Sequence, residues 1–295
     1  MMTTLNVSSE KPKLAEIEVK PLDKPSKNTT GIVYVEGSPV YFIKKYNINE
    51  KNRQKSKERE IRAVSFFNEC QLLATPHLRY FGEDHIVTDY AGKLTDVPVK
   101  DAVEAVADFH SKSLARESFP KDFEGELFQN QCRLRGKIRF KKNPEIVRQL
   151  WSASELEEKL DLVPPSEYGP IRKILTHGDI HKGNVQRTES GAIIFIDFER
   201  AYFDSPTWDF SRALLDLNPN EVEGVIEKYT RLMKNTSLLE MGAEKLRKLI
   251  LGDALYRLMT DFIADRLNPG FEEVAKRHYG RDRQFVEAVI IPNLK

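Results

Sequence analysis

In the first 92 residues apolar side chains recur at short, partly alternating spacing. The runs AEIEVKPL (15–22), GIVYVEG (31–37) and PVYFIKKY (39–46) are rich in Val, Ile, Tyr and Phe, and EGSP between the last two marks a tight hairpin, so three antiparallel strands are predicted. Then the period lengthens. In KSKEREIRAVSFFNECQLL the apolar Ile61, Val64, Phe67 and Leu72 fall at helical spacing. Two further β-prone runs in HLRYFGEDHIVTDYAG (77–92) flank a GED turn, which gives the order β-β-β-α-β-β.

After Gly92 long amphipathic helices take over. VKDAVEAVADFHSKSLA (99–115) lines one face with Val99, Val103, Val106 and Phe109/His110. One stretch interrupts them: NVQRTESGAIIFIDFE (184–199) reads as two strands joined by a turn at 188–191, while LVPPSEYGP (162–170) reads as a rigid connector. The predicted organisation is a β-rich part, residues 1–92, and a larger, mainly α part, residues 93–295.

Length and charge narrow the function classes. A chain of 295 residues buries a sizeable core without staples, and its two cysteines, Cys70 and Cys132, stand far apart in no ligand spacing, as in a reducing compartment. The 46 basic and 45 acidic residues leave a formal charge of +1, so no global field draws the molecule to nucleic acid or an anionic membrane. No apolar run approaches the roughly 20 residues that span a bilayer, and the first residues lack a core of signal-peptide length. The expectation is a cytoplasmic protein with no nucleic-acid and no membrane partner. Nothing in the pattern sets an oligomeric state.

The densest chemistry lies in THGDIHKGN (176–184). His177, Asp179 and His181 alternate and would project from one side of an extended strand, where nitrogen and oxygen ligands could meet Zn2+. Gly178 and Gly183 interrupt such a strand, and no distant His or Cys cluster supplies the remaining ligands. A second arrangement uses the hairpin. With 188–191 as a four-residue loop, Arg187 faces Ala192 and Asn184 faces Phe195, leaving Asp197 a diagonal neighbour of Asn184 within about 8 Å. Their oxygens can then share Mg2+, which takes hard oxygen ligands and keeps places for phosphate and water, while Asp179 stays free to act on a hydroxyl.

HGDIHKGN followed by FIDFERAYFDSPTWDFSRAL resembles the catalytic segment of the aminoglycoside phosphotransferase and choline kinase family, relatives of the protein kinases. It is similar to the kinase pattern H-R-D-x-x-x-x-N and D-F-G, with Gly178 in place of the Arg and Glu199 in place of the Gly. Neither an activation-loop arginine clamp nor an A-P-E segment is found, which points away from protein substrates. The resemblance implies an α+β, bilobal protein-kinase-like fold: a small antiparallel β N-lobe with one helix and a larger, mainly α C-lobe. It also implies ATP (or GTP) and Mg2+ as cofactors, Asp179 as the group that orients the acceptor hydroxyl and takes its proton, and Asn184 and Asp197 as the Mg2+ ligands. His177 and Asp209 would support the loop, Asp209 through backbone N–H groups. Lys182 either reaches the γ-phosphate or points into solvent.

In the first lobe the same resemblance assigns Lys44 to the α/β-phosphates, held by Glu60 with Glu58 as the alternative. DKPSKNTTG fills the phosphate-loop position with only Gly31, so Ser26, Thr29 and Thr30 would supply N–H and hydroxyl donors. Backbone groups of Asp89, Tyr90 and Ala91 would meet adenine.

For the acceptor, GDALYRLMTDFIADR places Asp253, Asp261 and Asp265 along one flank of a helix. They are either carboxylates for a cationic acceptor or a solvated face on which Arg257 pairs with Asp253 and Asp261 at i,i+4. Trp151, Tyr202 and Trp208 either stack on a ring or quaternary amine or pack in the core. The predicted activity is transfer of the γ-phosphate to a hydroxyl of an aminoglycoside-like, amino-alcohol or sugar molecule. A nucleotide-binding regulator of the same fold is the alternative, and the joint presence of Asp179, Asn184 and Asp197 speaks against it.

Overall fold

The computed structural model describes residues 17–22, 28–49, 53–71, 74–116, 131–168, 170–267 and 272–295. An antiparallel five-stranded sheet, in the order β1-β2-β3-β5-β4, gathers β1 (Ile17–Pro21), β2 (Thr29–Val35), β3 (Ser38–Lys45), β4 (Leu78–Phe81) and β5 (His85–Asp89). Helix α1 (Arg53–Cys70) follows β3 and packs on β4 and β5. The β2–β3 turn falls one position earlier than EGSP reads. Val35 faces Ser38, and Glu36 and Gly37 carry φ of 51° and 77°. Two consecutive positive φ values make the tight turn whose twist matches that of its strands, and Pro39 therefore sits inside β3.

Lys57, Glu60, Val64 and Phe67 are all buried on α1 at helical spacing. Two charged residues thus occupy the stripe whose apolar half the periodicity picks out. Burial of Lys57 is balanced by bonds from its ammonium to the carbonyls of Gly82 (2.8 Å) and Glu83, which fasten the helix to the β4–β5 turn.

The rest of the chain is mainly helical: α2 (Val99–Ala115), α3 (Gln131–Lys142), α4 (Pro144–Leu150), α5 (Ala153–Asp161), α6 (Pro206–Leu214), α7 (Pro219–Leu232), α8 (Ala243–Leu267) and α9 (Glu272–Phe285). In α2 the expected face, Val99, Val103, Val106, Phe109 and His110, is buried. Helix α8 packs against α3 and α6 and buries residues around its whole girth from Leu249 to Met259. This corrects the one-flank reading of its carboxylates. Asp253 is fully buried, and its partner is Arg133 of α3 (2.6 and 2.9 Å), not Arg257. Arg133 also reaches Asp204 (2.9 Å), so two carboxylates and one guanidinium share a desolvated centre. No helix among the described residues is long and apolar enough to cross a membrane.

Short strands position the chemistry. β7 (Ile174–Thr176) pairs with β10 (Tyr202–Asp204), and β8 (Val185–Arg187) pairs with β6 (Thr95–Asp96) and β9 (Ile193–Phe195). The β8–β9 register is one residue off the expected one: Arg187 faces Ile193 and Val185 faces Phe195. Thr188 N–H donates to the Ala192 carbonyl (2.9 Å), closing a three-residue loop whose last member, Gly191, has φ of 87°. A left-handed glycine in that place belongs to the three-residue hairpin class, not the four-residue one.

Candidate active site

The segment between β7 and β8 is a loop held from below. Asp209, buried in the first turn of α6, accepts the N–H of His177 through Oδ2 and that of Gly178 through Oδ1, both at 2.8 Å. Burial alone would lift its carboxyl, but the bond from His110 and the charges and amides around it win and hold it below the ordinary range. Gly178 has φ of 82°, and a Cβ there would lie 1.8 Å from the Arg200 carbonyl, so this position of the loop admits only glycine. His177 accepts the Asp179 N–H at Nδ1 (3.3 Å) and donates from Nε2 to the Ile196 carbonyl (2.9 Å). Both ring nitrogens are committed, which removes His177 from the zinc arrangement.

Asp179 projects from this loop into a ring of cations. Its Oδ1 accepts from Arg212 Nε at 3.1 Å; Oδ2 lies 3.6 Å from Arg200 Nε and 3.9 Å from His181 Nε2. Burial raises its carboxyl, yet Arg200 and Arg212 outweigh it, so the group stays below the ordinary carboxylate range and is ionised at neutral pH. Burial and Arg212 push His181 down, to a neutral ring. Its Nδ1 accepts from the Gly183 N–H (3.0 Å), which leaves the ring proton on Nε2.

The hairpin carries the second group. Ile196 N–H donates to the Asn184 carbonyl (3.0 Å), so Asn184 stands across from the residue before Asp197. Strict strand alternation from that register would turn Asn184 and Asp197 to opposite faces. Asp197 breaks the alternation with φ of 66°, a left-handed conformation that costs a non-glycine residue about 1–2 kcal/mol. Asn184 donates from Nδ2 to the Asp179 carbonyl (3.1 Å), which fixes the amide and reserves its oxygen as an acceptor.

Lys44 of β3 and Glu60 of α1 meet Asp197 from the sheet side. The Lys44 ammonium lies 2.8 Å from Glu60 Oε2, from Asp197 Oδ1 and from Glu199 Oε1. Burial works against its charge, but Glu60, Asp197 and Glu199 more than reverse this and hold the ammonium protonated. On Asp197 burial again raises and Lys44 lowers, with a net fall. Glu60 moves the other way: burial lifts its carboxyl more than Lys44 depresses it, and Tyr46 donates its hydroxyl to the same oxygen. Glu58, the alternative partner, is exposed and bonded to Gln54.

The remaining expected residues lie around this centre. Thr29 and Thr30 open β2, opposite Lys45 and Lys44, instead of lying in the phosphate loop; Ser26 lies outside the described residues. Asp89 ends β5 opposite Tyr41, with its amide committed to the His77 carbonyl and that of Tyr90 to the Val40 carbonyl. The Lys182 side chain is exposed, and Trp208 and Tyr202 are buried, the indole N–H donating to the phenol. Four contributors were missed by pattern reading. Glu199 bonds Asn28 and Arg53; Arg212 holds Asp179; Asp216 bonds Arg212 (3.3 Å); Arg257, stacked on Trp208, donates to the Gly178 carbonyl (3.2 Å). Glu199 was legible only as a departure from the kinase glycine and Arg257 only as an i,i+4 neighbour of other carboxylates, while the i,i+4 spacing of Arg212 and Asp216 is common to ordinary helix surfaces.

Residues 18–237 match the family model described as the phosphotransferase enzyme family. The chain belongs to this family. Among curated proteins, none matches the sequence. Among solved structures this phosphotransferase family member is similar to an ethanolamine kinase from Plasmodium vivax (13% identity, TM-score 0.67, covering 95% of this chain and 83% of that one). It is similar too to a choline kinase from Cryptosporidium parvum (14%, 0.64, 94% and 91%) and to an ADP-bound aminoglycoside phosphotransferase (17%, 0.60, 92% and 93%). At such identities the likeness is one of fold: a kinase-like sheet and helical bulk shared along nearly the whole chain.

Proposed function

We propose that this chain is an ATP- and Mg2+-dependent kinase that phosphorylates a hydroxyl of a small molecule. The observation that carries the reading is the convergence of Lys44, Glu60 and Asp197, with an ionised Asp179 near enough to act on Asp197 electrostatically but held by partners of its own, Arg212 and Arg200. Phosphoryl transfer asks the protein mainly to position groups and neutralise charge, and these residues are suited to that. Asp197 and the Asn184 amide oxygen would supply hard-oxygen donors of the kind Mg2+ takes, and the ion when bound would neutralise phosphate charge. Lys44 binds phosphate oxygens, and Glu60 keeps its ammonium in place. Asp179 accepts the acceptor's hydroxyl proton as the oxygen takes the γ-phosphoryl group and ADP departs.

The nucleotide half is residues 1–92 and the catalytic half 93–295, in keeping with the sheet and the helical part. With the amides of Asp89 and Tyr90 committed within the sheet, adenine recognition falls to the carbonyls of this stretch and the Ala91 amide. Asp89 lies three β3 positions from Lys44, about 10 Å along the strand, which suits a nucleotide laid between them. An amino-alcohol or aminoglycoside-like acceptor is favoured over a neutral sugar. Asp261, Asp265 and Asp282 are near neighbours on α8 and α9, where burial first and Asp261 after it lift the Asp265 and Asp282 carboxyls even though Arg281 already bonds Asp282 (3.0 Å), and an aminated acceptor would add a cation to this acidic group.

The test is ATP consumption by purified protein, with and without Mg2+, against pools of amino alcohols, aminoglycosides and sugars. Acceptor-dependent ADP release is expected from the aminated pools, and Asp179→Asn should lower it about 10²–10⁴-fold with MgATP affinity retained. Nucleotide binding with no acceptor-dependent turnover in any pool favours the regulatory alternative.

A further inference from the structure

We infer that Arg212, which lies outside the H-x-D-x-x-x-x-N and D-F-x patterns, is the positioning residue for Asp179 and gives its two oxygens different tasks: Oδ1 is pinned, and Oδ2 is presented to the acceptor. This deepens the proposed function and rests on its reading of Asp179 as the proton acceptor. Arg212 Nε donates to Asp179 Oδ1 at 3.1 Å, and its Nη1 donates to Asp216 Oδ1 at 3.3 Å. The other oxygen of Asp216 accepts the Lys182 N–H at 3.1 Å. Lys182 is three residues after Asp179, so the contacts close a ring: carboxylate, guanidinium, second carboxylate, loop backbone, and back to the first carboxylate.

Every side chain in the ring is mostly shielded, with 17% of Asp179, 19% of Arg212 and 11% of Asp216 exposed. Rotation of the Asp179 carboxylate would break the first bond, and movement of the loop would break the third. A guanidinium is the group for this place, because its planar fork spans two carboxylates where an ammonium is a single point charge. The groups beside Oδ2, the Arg200 guanidinium and the neutral His181 ring, stand at 3.6 and 3.9 Å, beyond hydrogen-bond range, so that oxygen keeps its lone pairs for a hydroxyl. Arg281 of α9 lies 3.7 Å from Asp216 Oδ1 and links the clamp to the helix whose Asp282 belongs to the acceptor side. An ordinary i,i+4 surface pair would add a little stability and leave Asp179 where it was. A positioning clamp differs in that its loss reorients the carboxylate.

The experiment uses the full chain as wild type, Arg212→Ala, Arg212→Lys and Asp179→Asn. Three readouts apply: the Asp179 side-chain orientation in crystal structures, MgATP affinity by calorimetry, and MgATP turnover with water, choline, ethanolamine or kanamycin as acceptor. In Arg212→Ala the carboxylate should leave its orientation and turnover should fall about 10²-fold, the scale of an ångström-level misplacement, while MgATP affinity stays within about twofold. Methylguanidinium should restore part of that turnover, and methylammonium should not. Arg212→Lys keeps the charge without the fork, and should lose turnover and orientation partway; it decides the matter if Arg212→Ala does not fold. An unchanged carboxylate and wild-type turnover in the arginine variants overturn the inference. Wild-type turnover in Asp179→Asn, or none in the wild type, overturns the proposed function instead, and the crystal orientation still decides the role of Arg212.

Discussion

Lys44 is the residue on which the buried charge between the sheet and the hairpin depends. Its side chain and that of Glu60 are 8% and 5% exposed, so neither ion keeps its water, and each is tolerable because the other is there. Replacing Lys44 with Met leaves Glu60 beside Asp197 and Glu199 with no cation at the centre. Breaking a buried pair from one side costs about 3–5 kcal/mol, whereas removing both charges is often close to neutral. Urea denaturation should therefore find Lys44→Met less stable than the double variant Lys44→Met, Glu60→Gln, although both lose nucleotide affinity. A single variant as stable as the double one means that the pair is not coupled as the distances imply.

Among the elements, α6 and the loop it supports are joined by one carboxylate. Asp209 accepts two loop amides, and an Asn in its place can accept only one, orphaning a buried N–H at about 1–3 kcal/mol. The pH dependence follows from the direction of its shift. A carboxyl held below its unfolded value of 3.8 contributes stability that is complete above that pH and is lost as pH falls through the folded value. Asp209→Asn should thus be less stable than wild type at pH 7, yet its unfolding free energy should fall less steeply below about pH 4; an equal or steeper fall removes Asp209 as a source of acid sensitivity. The legibility of the sequence divides at this same scale. The α2 face and the hairpin strands announce themselves because periodicity is local, as does the spacing of His177, Asp179, Asn184 and Asp197. The hairpin register was missed by one because Gly191 takes a left-handed turn in a shorter loop. The partners of Asp253 and Arg257 were missed because Arg133 is 120 residues away and Gly178 is 79, separations on which no period bears.

Across the whole molecule, the sheet and the hairpin are tied by ions: Lys44 to Asp197 and Glu199, Arg53 to the Glu199 carboxylate, Arg59 to its carbonyl (2.9 Å). Glu60, Asp197 and Glu199 offer oxygens within 4.8 Å of one another, and Lys44 among them with Arg53 on Glu199 offset two charges of three. A bare triphosphate approaching Lys44 must therefore still face a net negative carboxylate cluster, and a divalent cation is what would turn that repulsion into attraction. Because a ligand stabilises the fold by its affinity for the folded state alone, melting temperature reads this directly. At 100-fold excess over its dissociation constant a ligand adds about 2.7 kcal/mol, on the order of 4 °C for a chain of 295 residues. ATP with Mg2+ should give a shift of that order, ATP with a chelator a much smaller one, and Mg2+ alone little. If ATP with a chelator matches ATP with Mg2+, the carboxylates do not govern nucleotide entry. Asp197→Asn then serves as the control: by removing one charge it should narrow the gap between the two conditions, since the variant repels free ATP less and holds Mg2+ less well.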